Sequence, residues 1–302
     1  MSIPYVREID IEYGRCDRVS PLIRRVTANN PGPFTFKGTG TYIVGKGEVA
    51  VIDPGPDDPA HLEAILAAVA GETVSHILIT HHHSDHSPLA GPLKARTGAP
   101  IYGCAVTHVD EDTGEVKMEA GHDLAFKPDI SLCGGGTVSG AGWTMEAIPT
   151  PGHTSNHLCY ALKEEDACFT GDHIMGWSTT VITPPDGDMT DYLASLDRIR
   201  DRRFKVLWPT HGPPIRDVDA FIQAYLDHRQ ERIDQITTAL AAGPSKIRDL
   251  VPRLYADVDA RLHPAAARSM LAAMIHLTRE GVLSAAGDPG PDSEYRLVQP
   301  QS

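Results

Sequence analysis

The chain has 302 residues, enough for one large domain or a medium domain with a small one, and 41% of them are apolar, which excludes a disordered protein. Its formal net charge of −13 favours solubility and argues against broad, non-specific adhesion to nucleic acid. No apolar run reaches the roughly 18–20 residues of a membrane span.

The N-terminal stretch MSIPYVREIDIEYG carries charges and no apolar centre, so it does not read as a signal peptide. The five cysteines are scattered and never form CxxC. They suggest neither a disulfide framework nor a thiolate zinc site, and a reducing, cytoplasmic setting is expected.

TYIVG at 41–45 and VAVIDPG at 49–55 read as strands around a KGE turn. DDPAHLEAILAAVAG at 57–71 opens with Asp and Pro, keeps helical apolar spacing and stops at Gly71, so it predicts a helix. SHILIT at 75–80 is a buried strand, and SPLAGPLKARTGA at 87–99 starts a second helix. Residues 104–142 suggest short strands, with CGGGTVSGAG as a loop. Three strands follow in WTMEAIPTPGH and LCYALKEEDACFTGDH, then an amphipathic helix in MTDYLASLDRIRDRR and a strand in KVLWPTHG. After about residue 215 the pattern becomes one long helix, two more helices and a terminal hairpin, the outline of a winged-helix module.

Between the second predicted strand and its helix lies THHHSDHSPLAG, residues 80–91. Alternation places His81 and His83 on one side of an extended segment, while Asp85 and His86 swing round at the helix start. One short stretch can thus feed two adjacent ions, and imidazole with carboxylate suits zinc and its borderline neighbours. A catalytic zinc needs about three protein ligands and an open position, so other segments must contribute. His153, Asp172 and His211 each stand at another predicted strand end, and in a layered α/β fold such ends converge on one edge.

HxHxDH, then PGHT, then GD, then a strand-terminal HG resembles the metallo-β-lactamase superfamily over about residues 20–215. The resemblance implies a four-layer αββα sandwich (residues 1–218) with a small winged-helix-like domain (219–302). It implies two divalent ions, with Zn2+ expected and Mn2+ or Fe2+ as alternatives. His81, His83 and His153 would hold one; Asp85, His86 and His211 the other; Asp172 would bridge them. Asp53 would support the site through hydrogen bonds, and His82, which has no counterpart, is expected to be exposed. A hydroxide shared by the two ions would be the nucleophile. Asp85 is counted among the catalytic as well as the metal-binding residues.

Within the superfamily, GDHIMGWSTTVI, DYLASLDRI, PTHGPPI and HRQERIDQI resemble the β-lactamase-like protein 2 branch of endoribonuclease type. That implies a phosphodiester of single-stranded RNA as substrate. The acidity of the chain favours the alternative, a small carboxylic ester, thioester or lactone. A non-catalytic nucleic-acid-binding regulator is a third reading. Two departures fall near the expected substrate mouth: His173 stands where that branch often has Cys, and TPPDGDM lengthens the segment after Ile182. His157 is a candidate proton donor to the leaving group. Ser178, Thr179, Thr180 and His228 are candidate substrate contacts. The basic run Arg198, Arg200, Arg202, Arg203 and Lys205 reads either as helix surface or as a phosphate track. From residue 216 on, ten Lys/Arg face twelve Asp/Glu, which disfavours duplex DNA and leaves substrate covering or homodimer formation for the tail.

Overall fold

The computed structural model describes residues 3–106, 121–256 and 259–298. Its first sheet takes seven strands in chain order: β1 (Cys16–Arg18), β2 (Ile23–Thr27), β3 (Gly40–Lys46), β4 (Glu48–Ile52), β5 (Thr73–Leu78), β6 (Ile101–Gly103) and β7 (Ile130–Ser131). Pairing is antiparallel up to β4 and parallel from β4 onward. A parallel neighbour requires a crossover, which α1 (Pro59–Ala68) and α2 (Ala90–Thr97) supply. Asp58 caps α1 by accepting from Ala60 N, and the expected stop at Gly71 follows the last turn closely.

The second sheet has the order β12-β11-β10-β9-β8, from β8 (Gly136–Gly140), β9 (Trp143–Pro149), β10 (Leu158–Leu162), β11 (Ala167–Gly171) and β12 (Val206–Pro209). It is antiparallel except for β11 and β12, which α3 (Met189–Asp201) connects in parallel. CGGGTVSGAG is therefore not only a loop: its TVSG portion pairs with β9 as an edge strand, because a glycine-rich backbone can still hydrogen-bond where one face is open to solvent. Strands β1 and β2 were not anticipated, since CDR and IRRVT hide their alternation under charge. The short strands expected across 104–142 fall partly on 107–120, outside the described residues.

Alternation along the strands assigns side chains to layers. Tyr42, Val44, Ala50 and Ile52 point between the sheets and meet Met145, Tyr160, Phe169 and Trp208. Ile43, Val49 and Val51 point the other way, against Ile65 of α1 and Leu93 of α2. On the outer face of the second sheet, Ile148, Cys168 and Leu207 pack against Tyr192, Leu196 and Ile199 of α3. Each such large apolar side chain contributes about 1.5–3 kcal/mol by leaving water. The result is the expected four-layer αββα sandwich.

The C-terminal part consists of α4 (Val218–Ala241), β13 (Ser245–Lys246), α5 (Ile247–Leu254), α6 (His263–Arg279), β14 (Leu283–Ala285) and β15 (Glu294–Leu297), a winged-helix order with a three-stranded wing sheet. Its core gathers Ile236, Leu240, Leu250, Met270, Met274, Leu277 and Tyr295. Helix α4 belongs to both cores: Phe221, Ile222 and Tyr225 pack on the sandwich, whereas Ile233, Ile236 and Leu240 pack on the module. It acts as a spine common to the two parts.

The cysteine expectation needs correction. Cys104 and Cys133 form a disulfide that staples the end of β6 to the segment after β7. Cysteine usage therefore gives no support to a reducing compartment. Among the described residues, no helix is long and apolar enough to cross a membrane.

Candidate metal centre

Five strand ends build the centre. Asp53 follows β4, the stretch from His81 to His86 follows β5, His153 follows β9, Asp172 follows β11 and His211 follows β12. The sheets are tied together at this edge. Leu158 N donates to Thr80 O at 2.8 Å, Gly40 N to Thr210 O at 2.9 Å, and Tyr42 Oη to Pro209 O at 2.7 Å. The parallel register of β11 with β12 pairs Gly171 with Pro209, which sets Asp172 beside His211.

Asp53 orients much of the site. Its backbone is left-handed (φ 47°), which Asp tolerates better than bulkier residues. Its carboxylate accepts from Thr80 N at 2.8 Å, Thr80 Oγ1 at 2.7 Å, Thr210 Oγ1 at 3.2 Å and His86 Nδ1 at 2.8 Å. Thr80, having donated to Asp53, accepts from His81 Nδ1 at 3.0 Å. His153 Nδ1 donates to Val181 O at 2.7 Å, and His211 Nδ1 to Gly38 O at 3.3 Å. In four imidazoles the outer nitrogen is thus anchored on an oxygen acceptor and Nε2 points inward, an arrangement common to metal-binding histidines.

Those inner atoms converge. His81 Nε2 lies 3.0 Å and His153 Nε2 3.2 Å from His83 Nδ1. A tetrahedral ion with bonds of about 2.0–2.1 Å needs donor spacings of about 3.3 Å. His211 Nε2 lies 3.0 Å from Asp85 Oδ2 and 3.4 Å from Asp172 Oδ1; His86 Nε2 lies 3.5 Å from each of the same two carboxylates. Asp172 reaches the first group as well, with Oδ2 3.9 Å from His153 Nε2. His86 Nε2, His211 Nε2 and Asp172 Oδ1 are buried and make no hydrogen bond. Buried polar atoms without partners are costly, and two adjacent cations would satisfy them. The donor set fits divalent metal.

The local field splits the histidines. Burial and the surrounding imidazoles hold His81 well below its ordinary range. Burial alone would also depress His86 and His211, but the Asp85 and Asp172 carboxylates outweigh it. They raise His86 well above its usual value and His211 to about 10. His211 and His86 in turn hold Asp172 well below the usual carboxylate range, against the opposing effect of burial.

The expected His and Asp residues are therefore brought together, as three overlapping donor groups. Other expectations change. His82 is fully buried, bonded to Asn156 and His122. His157 does not face the cavity: Nδ1 pairs with Thr150 Oγ1 at 2.8 Å, and Nε2 accepts from Asp172 N at 3.3 Å. Burial holds it well below the ordinary histidine range, and both ring nitrogens are engaged, with Nε2 supporting the Asp172 backbone. Thr180 is also structural, donating to the Asp172 and His173 carbonyls at 2.8 and 3.0 Å. His173 is buried edge-on against Tyr192 rather than at the mouth. Four side chains of the basic run are engaged by the protein itself: Arg198 donates to Pro149 O, Arg200 pairs with Asp219, Arg202 with Glu146 and Lys205 with Asp166.

A cavity of about 370 Å3 opens on His83, Asp85, His153 and Asp172. Ser178, Thr179 and His228 line it, as expected, together with Trp177, Arg229 and Arg232. The far wall was not anticipated. It consists of Ile233 and Ile236 from α4, Tyr255 after α5, and Ala266, Met270 and Ala273 from α6. The spacing of His228, Arg232 and Ile236 at four-residue steps is the signal that they share a helix face.

Comparison with known proteins agrees with this geometry. The Metallo-beta-lactamase superfamily pattern matches residues 35–211, and the Beta-lactamase associated winged helix domain matches residues 247–291. A Beta-lactamase-like protein 2 homolog of Caenorhabditis elegans is 31% identical, with 88% of each chain covered. An Atrochrysone carboxyl ACP thioesterase of Aspergillus chevalieri is 34% identical over 76% of this chain and 69% of its own. A metallo-beta-lactamase family protein from Thermus thermophilus superposes with a TM-score of 0.74 at 25% identity, covering 93% of this chain and all of that one. The strand-end ligand set, the layered fold and these matches together place the chain in the metallo-β-lactamase superfamily, as a metal-dependent hydrolase carrying the associated winged-helix domain.

Proposed function

We propose that this hydrolase cleaves a thioester or activated ester whose acyl part is extended and apolar, with Zn2+ as the metal. The observation that carries this reading is the far wall of the cavity, where Ile233, Ile236, Ala266, Met270 and Ala273 face the ligand cluster. In a winged-helix order, α6 is the helix that would enter a DNA groove. Here its small and apolar face is turned toward the cavity. An apolar chain laid along that wall would gain about 0.8 kcal/mol per buried CH2, whereas a polyanion would gain nothing from it.

His81, His83 and His153 would hold one ion, and Asp85, His86 and His211 the other, with Asp172 between them. Divalent ions held there would supply an acidified water and Lewis-acid polarisation for a scissile carbonyl. Asp53 and Thr80 fix the imidazoles before substrate arrives, so the donor geometry is set in advance. Ser178 and Thr179 line the cavity, and their hydroxyls would be available to the ester link. His228, the cavity histidine outside the ligand set, is held neutral, its value pushed down to about 4 by burial and by Arg229 and Arg232. A thiolate of ordinary pKa near 8.5 leaves without a proton donor, which suits such a site. The name carried by the Aspergillus relative, an ACP thioesterase, supports the same chemistry. The phosphodiester reading retains one supporting observation, the Arg232 guanidinium and Trp177 ring on the cavity wall.

The test is a series of acyl thioesters of rising chain length beside a single-stranded RNA, all offered to the zinc-loaded protein. The expected result is kcat/KM that climbs with length. Ala273→Trp should remove at least about tenfold of that gain, while the acetyl thioester keeps near its original rate. A flat length profile, or RNA cleavage outpacing every thioester, would sink the proposal.

A further inference from the structure

We propose that His82, His122 and Asp186 form a third metal site, sharing no residue with the seven-ligand centre, that takes a divalent transition ion such as Zn2+. None of the three belongs to the HxHxDH, PGHT, GD and HG pattern. His82 is the middle histidine of HHH, and Asp186 lies in TPPDGDM, the segment that sets this chain apart from the branch it resembles. Their donor atoms lie within 4.8 Å of one another.

The surroundings prepare His82 as a ligand. Asn156 Nδ2 donates to Cys104 O at 2.8 Å, which turns Oδ1 of the same amide toward His82. That oxygen accepts from Thr154 Oγ1 at 3.0 Å and from His82 Nδ1 at 2.9 Å. The proton of His82 therefore sits on Nδ1, and Nε2 directs its lone pair toward His122 Nδ1, 2.8 Å away. Asp186 is similarly divided. Its Oδ1 accepts from Ser155 N and Oγ at 3.1 and 2.5 Å, whereas Oδ2 is buried and makes no hydrogen bond.

A hydrogen-bonded His82–His122 pair alone would leave that carboxylate oxygen uncompensated. An ion would join all three donors. Two imidazole nitrogens, one carboxylate oxygen and an open position suit zinc and its neighbours, and do not suit the all-oxygen preference of Mg2+ or Ca2+. The ion would clip three segments together. The His82 segment already receives a hydrogen bond from Asp123 N at 2.7 Å, and Ser84 N reaches Gly121 O at 2.9 Å. Asp186 stands five residues after Val181, whose carbonyl orients His153. His122 and Asp186 are half-exposed, whereas the ligands of the main centre are buried, so this ion should exchange first.

Zinc titration of the full chain against graded chelators, with metal counted by elemental analysis, tests the site. The expected result is three equivalents at saturation, the third released at the lowest chelator strength. His122→Ala and Asp186→Asn, made separately in different segments, should each weaken the third equivalent at least about tenfold and leave the first two bound. Co2+ added last to the two-zinc protein should give a visible absorption band that both substitutions abolish. A wild-type chain saturating at two equivalents, a third equivalent that survives both substitutions, or loss of all three ions together in both variants would overturn the proposal.

Discussion

The ligand shelf and the far wall line one cavity, yet they are built on opposite principles. On the shelf, the imidazoles are held from behind by directed bonds: Asp53 grips Thr80 and His86, Thr80 grips His81, and the Val181 carbonyl grips His153. The far wall has almost no polar definition. Ile233, Ile236, Ala266, Met270 and Ala273 come from two helices of the C-terminal module and present surface rather than directed bonds. The shelf can specify a reaction, because reaction geometry tolerates little displacement. The wall can specify only size and apolarity, because those are what dispersion and water exclusion measure.

The sharpest way to break this contrast is to strike the shelf at its centre. Asp172 approaches both donor groups, with Oδ1 3.4 Å from His211 Nε2 and Oδ2 3.9 Å from His153 Nε2. Asp172→Ala should lower turnover at least about 10²-fold and reduce tightly bound zinc, since both ions lose a common anionic ligand. The fold should survive, because the side chain lies at a strand end outside the apolar layers. Near-normal turnover in a folded variant with normal metal content would show that the shelf is not the reacting centre.

A smaller effect is expected one layer out. Asp53→Ala removes no donor from the convergent set, but leaves Thr80 N, Thr80 Oγ1 and His86 Nδ1 without their acceptor. Zinc affinity should fall about 10–100-fold. Stability of the metal-free chain should fall by about 1–3 kcal/mol for each buried donor left unpaired, read by urea titration. If the affinity is unchanged, the chain of bonds from Asp53 through Thr80 to His81 does not prepare the site.

The same contrast explains what could be read in the sequence. The shelf was legible because its ligands cluster within a few residues or close a strand, and strand ends of an α/β fold meet at one edge. Strand and helix periodicity made most of the elements legible, while the four-layer arrangement was an expectation drawn from the family resemblance. The wall was not legible. Ala266, Met270 and Ala273 look like ordinary module core, and the packing that places their helix beside the sandwich, through α4 and through Ala272, His276 and Arg279 of α6 itself, has no sequence signal. His157 and Thr180 could be read either as functional or as locally satisfied, because a polar side chain near a motif shows its partners only in the fold. His82 was misread: it lacked a role in the pattern, so burial beside Asn156 and His122 had no sequence signal. The Cys104–Cys133 bridge escaped because two cysteines 29 residues apart carry no spacing signature.

The smallest expected effect lies in the cavity that shelf and wall share. His228 of α4 lines the cavity, and its value is lowered to about 4 by burial first, then by Arg229 and Arg232. Unfolding would return it to about 6.5, so between those values the unfolded chain binds more protons than the folded one. Its contribution to stability is therefore fully present above about pH 6.5 and is lost as the pH falls toward 4. His61, buried and also lowered to about 4, acts in the same direction, so the acid limb of the stability curve is a sum. His228→Gln keeps a neutral side chain of similar reach and cannot be charged. It should leave stability at pH 7.5 nearly unchanged and make the decline between pH 6.5 and 4 shallower, as read from urea midpoints in metal-free buffer. A variant with the same acid slope as the parent would mean that His228 charges freely in the folded chain, and that the wall near it is wetter than its apolar neighbours imply.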